Sequence, residues 1–179
     1  MLIKILIGLA VLVGLLVVLV AVQPSEFKVT RTATVAAPPS AVFAQVNDFH
    51  KWEAWSPWAK LDPAARNTFE GASAGTGAVY AWAGNSKVGE GRMTIVESRP
   101  NELVRIKLEF LKPFAATNTA EFTFKLEGDR TQVTWSMFGR NNFVGKAVCL
   151  VMNMDKTLGG EFDKGLAAMK SVAEAAAKN

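Results

Sequence analysis

In Leu103-Val104-Arg105-Ile106-Lys107-Leu108-Glu109-Phe110, apolar and charged side chains alternate from Val104 to the end. In an extended chain this places Val104, Ile106, Leu108 and Phe110 on one face and Arg105, Lys107 and Glu109 on the other. A strand with one dry and one wet face belongs to an antiparallel sheet, because parallel sheets are covered on both sides. Pro113 ends the strand. Thr119 to Leu126 repeats the pattern, and Gly128-Asp129 turns it into Thr131 to Phe138.

Working upstream, Gly89 to Ser98 reads as a strand closed by Pro100-Asn101. Gly77 to Ala83 reads as another, entered through Gly75-Thr76-Gly77 and left through the hairpin turn Gly84-Asn85-Ser86-Lys87. Asn67 to Glu70 is a short one. Phe27 to Val35 alternates again, and Ala36-Ala37-Pro38-Pro39-Ser40 stops it. Helical spacing follows in Ala41, Val42, Val46 and Phe49, with Pro39 or Ser40 at its start. A second short helix or irregular turn runs through His50 to Trp58, with Pro57 as its stop.

Downstream, Leu158, Phe162, Leu166, Met169 and Ala173 fall on one helical stripe, with Asp155 as the expected N-cap. This stripe is the cover that the apolar sheet face requires. The expected architecture is α+β: a strand, two short helices, a six-strand meander and a long C-terminal helix lying across the curved antiparallel sheet.

The N-terminus obeys a different rule. From Leu2 to Val22 the only charge is Lys4. At about 1.5 Å per residue the segment spans roughly 31 Å, against a hydrocarbon core of about 30 Å. It has no polar face, so it does not read as a buried soluble helix. A cleaved signal peptide is the competing reading. However, Ile5 to Val22 exceeds an apolar core of about 7–15 residues, and Val20-Ala21-Val22-Gln23-Pro24 has no clean small-x-small site. Residues 1–22 are therefore expected to be a transmembrane anchor, 23–26 a linker and 27–179 one domain. Basic residues flank the span on both sides (Lys4, Lys28, Arg31), so charge bias orients it weakly. The very short N-terminal tail favours a single-pass chain with its domain outside the cytoplasm.

The net charge of +4 comes from basic residues scattered without runs, which leaves no stripe for nucleic acid. Cys149 is the only cysteine and has no internal partner for a disulfide. There is no HExxH or CxxC pattern, so neither a metal nor any other cofactor is expected. Gly75-Thr76-Gly77 and Gly89-Glu90-Gly91 open no helix and read as hairpin punctuation. His50 is the only histidine, with Asp48 as its nearest orienting carboxylate. Glu90 and Glu97 would need inward burial to serve as acid or base. No residue is assigned a catalytic role.

Several motifs in order resemble the START-like superfamily, also called the SRPBCC or polyketide cyclase/dehydrase-like group. They are Val35 to Phe43, Val46-Asn47-Asp48, Trp52 to Trp58, Gly75-Thr76-Gly77, Thr131 to Trp135 and Phe162 to Leu166. The resemblance covers nearly everything after the anchor. It implies a helix-grip fold with a deep apolar cavity between sheet and C-terminal helix, in a group that includes lipid, hormone and polyketide binders and a few enzymes. The anchor departs from the soluble members.

The candidate cavity residues are Trp55, Trp58, Tyr80, Trp82, Phe110, Trp135, Met137, Phe162 and Arg31. Trp52, Trp55 and Trp58 either plug one end of the core or frame an entrance. Tyr80, Trp82, Phe110, Phe122, Phe124, Trp135 and Met137 share the inward parity, as a filled core or as a lined pocket. Tyr80, Trp82 and Trp135 also carry donors for a ligand. Arg31 has inward parity too, and a charge there must be paired or exposed. It either snorkels out at the sheet edge or stands as a cation in a cavity mouth. Gly159, Gly160 and Gly165 weaken the last helix, either for close contact with the sheet or for local opening. The expected function is a membrane-anchored domain that binds a small hydrophobic or lipid-like ligand, its partners being the bilayer (through residues 2–22) and that ligand. A cyclase- or dehydrase-type enzyme and an envelope interaction module are the alternatives.

Overall fold

The computed structural model describes residues 1–178. An apolar helix α1 (Leu2–Ala21) leads into strand β1 (Glu26–Val35), helix α2 (Pro39–Asn47) and a 3₁₀ segment (Phe49–Ala54). Six strands follow: β2 (Arg66–Gly71), β3 (Ala78–Ala83), β4 (Glu90–Arg99), β5 (Leu103–Lys112), β6 (Ala116–Glu127) and β7 (Arg130–Arg140). Helices α3 (Phe143–Val151) and α4 (Met154–Ala176) complete the chain. The expected order is reproduced, with α3 as an addition.

All seven strands form one antiparallel sheet in the order β1-β7-β6-β5-β4-β3-β2. Connections of two to six residues join neighbours from β2 to β7, and β1 crosses over to pair with β7 from Glu26↔Arg140 to Val35↔Thr131. Alternation explains the burial. Val104, Ile106 and Leu108 are buried on β5, while Lys107 points to solvent.

α4 lies over the dry face, in contact with β1, α2 and the 3₁₀ segment. Its stripe behaves as its spacing predicts: Phe162, Leu166, Met169 and Ala173 are all buried. Burying each of the three large side chains contributes roughly 1.5–3 kcal/mol. The cap lies two residues earlier than expected. Asn153, not Asp155, accepts the Lys156 N–H at 2.9 Å. Asp155 sits in the first turn, where its carboxylate is taken by Arg31.

α1 is long and apolar enough to cross a membrane or to act as a signal sequence. Its only buried residue is Val20, close to where it packs against α3.

Candidate functional site

The dry face of the sheet carries a continuous layer of aromatic rings beneath α4. Trp135 on β7 is at its centre. Its indole stacks on Phe162 of α4 with centroids 4.1 Å apart, and on Phe122 of β6 at 4.8 Å. Trp55 and Trp58 approach it edge-on at 5.6 and 5.8 Å. The local sequence explains the positions of these two. Asp48 caps the 3₁₀ segment through the His50 N–H, and the tight turns that follow aim the tryptophans back under α4. Trp52 and Trp55 are both buried, and their indole N–H groups donate to the carbonyls of Val46 and Gln45, each at 3.0 Å.

Trp55, Trp58 and Phe162 are thus each brought against Trp135. Met137 is buried on the same face, two residues beyond Trp135. Tyr80, Trp82 and Phe110 form a second, half-buried group toward the β2 edge, with centroids 6.0 Å apart for Tyr80–Trp82 and 6.1 Å for Trp82–Phe110. Phe49 links to this group through Tyr80 at 6.0 Å.

The three proposed donors differ in their partners. Tyr80 donates its hydroxyl to Asn67 Oδ1 at 3.0 Å, and Trp82 donates to the Val88 carbonyl at 3.0 Å. Burial raises the Tyr80 pKa, with the Glu53 charge adding to it, so the hydroxyl stays protonated. Trp135 Nε1 has no partner. Among the described residues it is the one fully buried side-chain polar atom without one, on a residue only 2% exposed.

Arg31 lies directly opposite Trp135 in the β1–β7 register. Its side chain crosses from β1 to α4 and meets Asp155 through two N–H groups at 2.9 and 3.1 Å, with Asp163 at 3.3 Å. The hydrogen bonds from Arg31 hold the Asp155 carboxyl below its usual pKa. The inward charge is therefore neutralised by the helix. Gly159 makes this possible, since a Cβ there would collide with the guanidinium. Gly165 does the same for Trp135 and Pro57, whereas Gly160 faces open space.

The acid–base candidates lie outside this layer. His50 is exposed, with Nδ1 2.9 Å from Asp48 Oδ1 and its ring stacked on Phe69 at 4.1 Å. Glu90 pairs with Lys112, and Glu97 with Arg105 and Arg99.

An open groove of about 620 Å³ was not anticipated. It runs between the linker and start of β1 on one side and the α3–α4 junction on the other, lined by Gln23, Pro24, Phe27, Cys149, Met152 and neighbours. None of the candidate cavity residues lines it. The signal that marks this region is the apolar stripe Phe143, Val144, Ala147, Leu150 and Val151, which has helical spacing.

A family model described as polyketide cyclase / dehydrase and lipid transport matches residues 26–174. No curated protein matches the chain in sequence. Among solved structures, the di-domain ARO/CYC StfQ from the steffimycin biosynthetic pathway is similar at 14% identity and a TM-score of 0.64, over 87% of this chain and 53% of that one. SA2116 from Staphylococcus aureus is similar at 13% identity and a TM-score of 0.64, over 88% of this chain and 99% of that one. CV1439 from Chromobacterium violaceum follows at 12% identity and a TM-score of 0.60, over 82% and 96%. Identities this low establish a common fold and nothing finer.

Proposed function

The chain belongs to the polyketide cyclase / dehydrase and lipid transport family, and on that premise we propose that it is a membrane-anchored domain holding a small hydrophobic, lipid-like ligand between sheet and α4. The observation that carries this reading is the unpartnered indole N–H of Trp135, buried at the centre of an aromatic layer. Leaving such a donor unpaired costs about 1–3 kcal/mol. A ligand with a carbonyl or hydroxyl oxygen on an apolar body would relieve that cost and suit the rings around it. Trp135 and Phe162 leave no room for a third ring between them, so entry requires α4 to move away from β7. The proposed ligand residues remain Trp55, Trp58, Tyr80, Trp82, Phe110, Trp135, Met137 and Phe162, with Arg31 as a clasp on the helix that moves. Residues 1–22 are read as the anchor, 23–26 as the linker and 27–179 as the binding domain outside the cytoplasm.

The test starts with native mass spectrometry of the full chain extracted in mild detergent, followed by titration with a long-chain fatty acid methyl ester while tryptophan emission is read. A co-purifying hydrophobic molecule and a saturable emission change are expected. Trp135→Phe removes the donor while leaving a smaller aromatic ring, so it should weaken ester binding at least about tenfold, the worth of one hydrogen bond near 1.4 kcal/mol. An empty mass spectrum together with an emission that ignores the ester would sink the proposal.

A further inference from the structure

α3 is a nine-residue helix without a single buried residue. Phe143, Val144, Leu150 and Met152 are between 40% and 50% exposed, and Val151 is 82% exposed. Phe143, Val144, Ala147, Leu150 and Val151 stand at positions i, i+1, i+4, i+7 and i+8, so the exposed residues form one continuous face. From Asn141 to Met154 the only charge is Lys146. Its ammonium donates to the carbonyl of Ala21 at 3.0 Å, at the last turn of α1. In addition, the Asn141 N–H donates to the Ser25 carbonyl at 2.6 Å. α3 is thus fastened to the point where the apolar N-terminal helix ends.

A second element exposes apolar bulk at the same end of the sheet. Glu26 pairs with Arg140, Gly139 with Asn118, and Ala116 with Phe110. The β5–β6 turn therefore lies level with the start of β1, about 14 Å away across three strand spacings. Leu111 at the end of β5 and Phe114 in the turn are exposed at 60% and 64%. Exposed apolar patches from separate elements that gather on one side of a molecule mark an interaction surface.

We propose that α3 and the β5–β6 turn dock into the interface of the same bilayer that α1 crosses, with the apolar face of α3 lying about 5–10 Å deep at the headgroup–acyl boundary. The inference rests on reading α1 as an anchor and extends it from one point of attachment to three. A lipid surface fits because the face is continuous with the end of α1 and because Lys146 is the only charge from Asn141 to Met154. Leu150, Val151 and Met152 also line the 620 Å³ groove, so docking brings lipid to its edge.

The test uses the full chain in a Cys149→Ser background, reconstituted into phosphatidylcholine–phosphatidylglycerol vesicles. Single cysteines at Val151, Phe114, Leu12 and Asp129 carry an environment-sensitive fluorophore. Asp129 is the control, one β7 length from the docking end, and near-UV circular dichroism checks each fold. Labels at Val151 and Phe114 should be quenched by lipids brominated on the acyl chain and shielded from aqueous iodide, with the reverse at Asp129. Iodide quenching at Val151 while Leu12 stays in contact with brominated lipid would overturn the docking proposal alone. Iodide quenching at Leu12 as well would overturn the anchor with it. Shielding at Val151 that persists in lipid-free detergent and is lost on dilution would assign the face to a second copy and overturn the lipid reading.

Discussion

Arg31 and Trp135 face the same interior, and the helix above treats them in opposite ways. Arg31 finds two carboxylates on α4, while Trp135 finds only rings. Inward parity was legible for both from the alternation in Phe27–Val35 and Thr131–Phe138. Their partners were not, because what each meets on α4 depends on how close that helix approaches the sheet. Gly159 and Gly165 set that approach. The Arg31–Asp155 pair makes a prediction about pH. The folded Asp155 pKa is depressed, so its contribution is complete above the unfolded value of about 3.9 and is lost as pH falls through the lower folded value. Both partners are solvent-accessible enough for screening to keep the effect small. Asp155→Asn should therefore lower the melting temperature slightly at neutral pH and remove that part of the acid dependence below about pH 4. Melting curves from pH 2.5 to 7 check this. An unchanged slope in the variant would mean that the pair contributes nothing.

At the scale of elements, α4 is the part expected to move. It buries a full apolar stripe, yet Gly159, Gly160 and Gly165 each lower its intrinsic helix stability by roughly 1 kcal/mol relative to Ala. Hydrogen exchange should therefore show amides at 155–165 opening well before those at 166–176, and before those of β6 and β7. Uniformly slow exchange across α4 would exclude it as the gate. The strands were legible because each has one wet face and punctuated ends, and β5 from Leu103 is the plainest case. α3 was not anticipated. Its apolar stripe is as regular as that of α4, but nothing between Asn141 and Met154 says what such a helix packs against until α1 and the β7 exit are placed side by side. The cap of α4 was misplaced by two residues for a related reason. Asn153 and Asp155 are both good caps, and the choice between them depends on where Arg31 arrives.

Over the whole molecule, the class of fold followed from sequence, because sheet, cover and apolar leader each carry their own periodicity. The occupancy of the interior did not follow. A filled aromatic layer and a lined pocket have the same composition, and ring-to-ring distances separate them. If α1 is retained as an anchor, intact mass of the membrane-extracted chain should include residues 2–22, and the protein should stay in the pellet after alkaline carbonate washing. A shorter mass in the supernatant would make α1 a cleaved signal. The joint between leader and domain has a mechanical consequence. Only residues 22–25 separate α1 from β1, so tension on the leader is delivered directly to the end of that strand. To the extent that the pull runs along β1, its bonds to β7, from Glu26↔Arg140 to Val35↔Thr131, are strained together in shear and do not peel one at a time. Arg31 pins the middle of the same strand to α4. The edge strand thus works as a lap joint, with the leader on one side and the rest of the sheet on the other.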